Sequence, residues 1–192
     1  MNYKTEAYQL EDFIREMTDI VEKTDSEADR VSKAEHLVGK LIRSISWLTE
    51  DKRKPSNEGY ARYSLYVDPQ DRFEVLVLVW QPGHKTSLHD HDGTWGVEGI
   101  VSGQVRVTNY IQEGNVSKNV VRLRHTGSIV VQEQDTGTLL PPADCHTLEV
   151  EGDQPAITIH VYGKQLCHFK VFEPTGEKEL YNAKVSYVKY SG

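Results

Sequence analysis

The feature that most constrains this chain is a change of hydrophobic period near residue 60. Before it, apolar residues recur every three or four positions; after it, every second position. Leu10, Phe13, Ile14, Met17, Ile20 and Val21 fall on one helical face. A second helix is predicted to start at Asp25 or Ser26, either of which can cap it, with Glu27 and Asp29 complementing its dipole. Its stripe is Val31, Ala34, Leu37, Val38, Leu41, Ile42 and Ile45, closed by Trp47 and Leu48. The polar stretch 49–59, with Pro55 and Gly59, reads as a loop. From Tyr60 onward, short β-branched and aromatic runs such as YARYSLYV, FEVLVLVW, HTLEV and AITIHVY alternate with turn signals. Those signals include residues 68–71, 102–103, 113–115 and 126–127. Many short strands at regular spacing predict a mainly β fold, an antiparallel barrel of jelly-roll type with the two helices packed outside. Residues 1–58 are expected to form a helical segment and linker, and residues 59–192 the barrel, as one structural unit.

Composition narrows the function. A net charge of -7, from 29 acidic and 22 basic residues without a Lys/Arg cluster, argues against nucleic-acid binding. No apolar stretch approaches the ~20 residues needed to cross a bilayer. The N-terminal MNYKTEAYQLEDF lacks the apolar core of a secretory leader. Two cysteines, Cys145 and Cys167, cannot scaffold a chain of this length and are expected to be ordinary buried, reduced thiols. The expectation is a cytoplasmic protein without a membrane or nucleic-acid partner, monomeric or weakly self-associating.

The densest chemical signal is PGHKTSLHDHDGTWG at residues 82–96. His89 and His91 are two apart, so on extended backbone they point the same way and can share a metal ion. His146, after the Pro141–Pro142 turn and at the start of a late strand, is the natural third ligand. Imidazoles suit zinc, copper, iron or nickel, and ligand softness does not choose among them. In AITIHVY, alternation puts Thr158, His160 and Tyr162 on one strand face and Ile157, Ile159 and Val161 on the other. The same alternation groups Tyr60, Arg62, Ser64 and Tyr66.

Gly83, five residues, then His89-Asp90-His91, followed later by a proline turn and His146, resembles the two motifs of the cupin superfamily. Many cupins add a glutamate four or five residues after the pair. Here those places hold Trp95 and Gly96, and Glu98 is out of phase, so a three-histidine site without a carboxylate is expected. With YAR at 60–62, VWQPGHKTSLHDH at 79–91 and ITIHVYG at 157–163, the chain resembles the cysteine dioxygenase family of thiol dioxygenases, in its bacterial form. That resemblance implies Fe(II) on His89, His91 and His146, and a small thiol and O2 as reactants. It also implies a Thr158–His160–Tyr162 catalytic trio with Thr replacing Ser, and Arg62, beside Tyr60, as a clamp for the substrate carboxylate. The cysteine that crosslinks to the active-site tyrosine in animal members is replaced by Gly96, so Tyr162 is expected to be a free phenol. The resemblance favours L-cysteine, oxidised to its sulfinate. The TWG context at Trp95 resembles the 3-mercaptopropionate enzymes instead, and keeps that thiol and mercaptosuccinate as alternatives. A non-catalytic metal-binding sensor and a different metal enzyme are the readings of another class.

Overall fold

The computed structural model describes residues 7–191; residues 1–6, the start of the stretch expected to lack a secretory leader, lie outside them. Helix α1 spans Leu10–Lys23 and α2 spans Glu27–Leu41. The Ser26 hydroxyl accepts the Asp29 N–H at 3.3 Å and caps α2. Helix α2 stops before Ile45, where the Trp47 indole donates to the Leu41 carbonyl at 2.9 Å and satisfies one of its terminal acceptors. The linker expected as plain loop contains a 3-10 turn at Glu50–Arg53.

Ten strands follow: β1 Ala61–Val67, β2 Glu74–Trp80, β3 Gly96–Ser102, β4 Gln104–Ser117, β5 Val120–Gln132, β6 Thr136–Leu139, β7 Cys145–Val150, β8 Ala156–Tyr162, β9 His168–Pro174 and β10 Leu180–Tyr187. They form two five-stranded antiparallel sheets, ordered β1-β2-β8-β3-β6 and β7-β4-β5-β10-β9. The result is a jelly-roll sandwich with the helices outside, in agreement with the expected fold class. Two turn readings are corrected. Residues 113–115 and 126–127 lie inside the long β4–β5 hairpin, where register shifts after Asn109 and Gln112 absorb them as bulges.

The first sheet is buried on both faces. Outward, Val77, Val79, Val97, Val101, Ile159 and Val161 pack on Val38, Leu41 and Ile42 of α2 and on Phe13 and Met17 of α1. Each such side chain contributes roughly 1.5–3 kcal/mol of burial. A Cβ at Gly99 would come 2.6 Å from Val38 Cγ1, so glycine is what lets α2 lie on β3. Inward, Leu76, Leu78, Trp80 and Ile100 meet Val105, Leu148 and Val150 of the second sheet. The alternation expected for β8 holds: Ile159 and Val161 join the helix-side core, while Thr158, His160 and Tyr162 are buried polar residues of the interior. In β1 it fails past Ser64. A register shift between Ser64 and Tyr66 turns Tyr66 onto the helix side, against Phe73 at 5.3 Å between ring centres. Trp95 also packs on the helix side, and Cys167 is exposed rather than buried.

Candidate metal centre

The segment between β2 and β3 crosses from one sheet to the other, and there His89 meets His146. Each donates its backbone N–H to the other's carbonyl at 3.1 Å, an antiparallel bridge that points both imidazoles the same way. His91 follows two residues on, its N–H held by the Asp144 carboxylate at 3.2 Å. The three ring centres form a nearly equilateral triangle of 5.0, 4.8 and 4.9 Å, and one nitrogen from each lies within 4.8 Å of the others.

The protonation state suits ligation. His89 Nδ1 is 2.9 Å from the Ser87 carbonyl, which can only accept, so Nδ1 carries the proton and Nε2 keeps its lone pair. Burial pushes the His89 pKa well below its ordinary value, and the neighbouring His146 and His91 reinforce this. Burial likewise lowers that of His146 to about 4, with Glu98 opposing. All four ring nitrogens of His91 and His146 are buried without a hydrogen-bond partner among the described residues. An orphaned buried polar atom costs about 1–3 kcal/mol. A bound cation relieves that cost and is satisfied by neutral imidazoles, so the residues fit a transition metal ion.

Behind the histidines a buried chain of hydrogen bonds runs across β2, β8 and β3. The Trp80 indole, a donor only, gives its proton to Thr158 Oγ1 at 2.9 Å. Thr158 Oγ1 lies 2.7 Å from His160 Nε2, and His160 Nδ1 lies 2.8 Å from Glu98 Oε1. Ionised Glu98 only accepts, so Nδ1 carries a proton directed at it. The Tyr162 hydroxyl, 3.3 Å from the same Nδ1, is then left to aim its own proton elsewhere. Burial raises the Tyr162 pKa well above the usual phenol value, Glu98 adding to the effect and Arg62 opposing it. Glu98 itself is held far below the usual carboxylate range, because His146 and His160 outweigh the cost of its burial. Its Oε1 is 3.7 Å from His146 Nε2.

Arg62 stands apart from every carboxylate among the described residues. Its Nη2 donates to the Tyr60 hydroxyl at 3.3 Å, while its Nε is buried without a partner. The guanidinium lies 5.6 Å from the Tyr60 ring and 5.8 Å from the Phe169 ring, and Phe169 in turn is 5.5 Å from the His89 ring. An unpaired cation is therefore next to the aromatic residue that walls the histidine triangle.

The sequence model of the family described as "Cysteine dioxygenase type I" matches residues 2–174. The chain belongs to that family. A "Cysteine dioxygenase type 1" of Danio rerio is 23% identical over 167 residues, covering 85% of this chain and 79% of the relative. One from Homo sapiens is 24% identical over 119 residues, 57% of this chain and 58% of the relative. A solved protein with a double-stranded beta-helix domain from Klebsiella pneumoniae is 20% identical, with a TM-score of 0.47 over 65% of this chain and 94% of that one.

Of the residues singled out from sequence, His89, His91 and His146 converge, Thr158, His160 and Tyr162 line up behind them, and Tyr60 and Arg62 adjoin them. Sequence reasoning missed three neighbours: Trp80, Phe169 and Glu98. Glu98 was set aside for its spacing from His91, yet it sits directly across from His160 in the β3–β8 register. Strand alternation from Gly96, which faces Tyr162 in that register, was the signal that could have found it.

Proposed function

We propose that this chain is an iron-dependent thiol dioxygenase that converts L-cysteine to cysteine sulfinate. The observation that carries the proposal is the triangle of buried imidazoles with Arg62 unpaired beside it. In the reaction a thiolate and O2 become a sulfinate: both oxygen atoms end on sulfur, which loses four electrons as dioxygen gains four. His89, His91 and His146 would hold the ferrous ion. The ion would supply Lewis acidity toward the thiolate and the one-electron chemistry that lets ground-state dioxygen react.

The protein's own residues do the rest. Arg62 forks onto the substrate carboxylate, a bidentate match that needs a planar guanidinium. Its free Nε supplies one arm of that fork and the Tyr60 hydroxyl flanks it. Phe169 walls the pocket and keeps bulk water off the reacting sulfur. Tyr162, kept protonated by burial, donates a hydrogen bond to the substrate. Thr158 and Trp80 fix the tautomer and tilt of His160, and His160 in turn leaves the Tyr162 proton unclaimed.

Arg62 supports a carboxylate-bearing thiol over cysteamine, a requirement that L-cysteine and 3-mercaptopropionate both meet. Trp95, whose context resembles the mercaptopropionate enzymes, is packed on the helix side of the sheet rather than in the site, which removes the sequence argument for that thiol and leaves L-cysteine as the reading the family resemblance favours. The test is oxygen uptake by iron-loaded protein with L-cysteine, 3-mercaptopropionate, mercaptosuccinate and cysteamine side by side. L-cysteine is expected to give the highest kcat/KM. A higher value for another acidic thiol overturns the substrate, and no uptake with any thiol overturns the reaction.

A further inference from the structure

The chemistry above uses only one oxygen of Glu98. This carboxylate is 9% exposed and has no lysine or arginine partner among the described residues. Its Oε1 is occupied by His160 Nδ1 at 2.8 Å, whereas Oε2 has no hydrogen-bond partner among the described residues. Glu98 lines a cavity of about 190 Å³ together with Ile100, Val107, Leu139, His146 and His160. Aliphatic side chains of β3, β4 and β5 line one side of that cavity and Thr136 and Thr138 of β6 another, and His146 of the histidine triangle is on its wall. Glu98 Oε1 is only 3.7 Å from His146 Nε2, so a ligand whose sulfur sits at the triangle has its next heavy atoms within reach of this carboxylate.

A buried carboxylate with a free oxygen facing a cavity lacks a donor. It accepts hydrogen bonds and offers none, so it attracts an N–H group and repels a second anion. A methylene group there leaves the lone pairs unmatched, at the cost of an unmade buried hydrogen bond. Discrimination between a hydrogen-bonding group and its absence is the kind of selectivity that buried polar atoms deliver best.

We propose that Glu98 is the amino-group receptor of this site, accepting an N–H of the substrate on Oε2 and so selecting 2-aminothiols over thiols that lack nitrogen. The inference rests on the thiol dioxygenase function proposed above and extends it: Arg62 reads the carboxylate, and Glu98 reads the amine.

The test is Glu98→Gln in the full-length, iron-loaded protein. A glutamine oxygen still accepts from His160 Nδ1, so the Trp80–Thr158–His160 chain persists while the charge is lost. For L-cysteine, kcat/KM is expected to fall about tenfold to a hundredfold, the range for a charge-assisted buried hydrogen bond. For 3-mercaptopropionate it is expected to change less than about threefold or to rise. Anaerobic calorimetry supplies a readout without turnover: L-cysteine binding weakens by a similar factor in the variant and 3-mercaptopropionate binding does not. Iron content is expected to be unchanged. An equal loss for both thiols overturns the proposal in favour of a role in holding His160, and loss of iron overturns it in favour of a direct metal ligand. If the parent protein turns over neither thiol, the proposed function fails, and calorimetry still decides whether Glu98 distinguishes the two ligands.

Discussion

Replacing Arg62 by Met separates binding from architecture more cleanly than any other single change. Methionine keeps much of the unbranched stem and removes the guanidinium that lies near the Tyr60 and Phe169 rings. In the proposed substrate complex the guanidinium would make a forked, charge-assisted contact worth about 1.5–3 kcal/mol. Its loss therefore lowers kcat/KM for L-cysteine about tenfold to 150-fold, carried mainly by KM because the contact is made before the chemistry as well as during it. The stability ledger is different. The ring contacts at 5.6 and 5.8 Å contribute about 0.5–1 kcal/mol each. Against that, the variant no longer buries an Nε without a partner, and no carboxylate is orphaned by the change. The two effects offset to within about 1 kcal/mol, a Tm shift of about 2–4 °C at most for a chain of this size. The assay is a KM and kcat determination beside a thermal melt and an iron assay on the same preparation. An unchanged KM would refute the clamp, and a melt lowered by more than about 8 °C would show that Arg62 holds the fold instead.

Tyr162→Phe should lower kcat/KM about tenfold to a hundredfold, with iron content nearly unchanged, because it removes a hydrogen-bond donor to the substrate and no metal ligand. Steady-state kinetics with L-cysteine measures this. Gly96→Ala would place a Cβ 2.9 Å from Tyr162 Cδ1 and 3.1 Å from Leu139 Cδ1, so it should cost about 1–3 kcal/mol in urea unfolding and also lower kcat. Removing the metal should lower the melting temperature, since His91 and His146 are left with unpartnered nitrogens, and readdition of ferrous iron under argon should restore it. The Arg72 hydrogen bonds, with the backbone N–H groups of Arg72 and Gln70, hold the Asp68 carboxyl below its ordinary 3.8 despite burial. A lowered folded-state pKa means that its contribution is complete above that ordinary value and is lost as pH falls through the folded one. Asp68→Asn should thus destabilise at neutral pH and flatten the acid limb of a stability profile.

What was legible in the sequence followed from strict periodicity. The α2 stripe and the β8 alternation translate directly into faces, because nothing interrupts the backbone there. Strand β3 was not legible: GVEGIVS carries two glycines where a strand would usually have branched residues, and those glycines serve Tyr162 and the seat of α2. Tyr66 was misplaced because a bulge after Ser64 inverts the alternation, and bulges leave no mark in composition. The histidines were legible from their spacing. Glu98 was not, since a motif counts positions along the chain, whereas the contact with His160 is made across strands. The isolation of Arg62 could be learned only from three dimensions, because a charge without a partner is a property of its surroundings.

The central claim is that this site places both atoms of one dioxygen molecule on one sulfur. Iron-loaded protein should be mixed with L-cysteine under an equal mixture of unlabelled and doubly labelled dioxygen, and the product mass measured. Cysteine sulfinate is expected with both oxygen atoms labelled or neither, and not with one. Cystine without label, or a product whose oxygen comes from water, would contradict it.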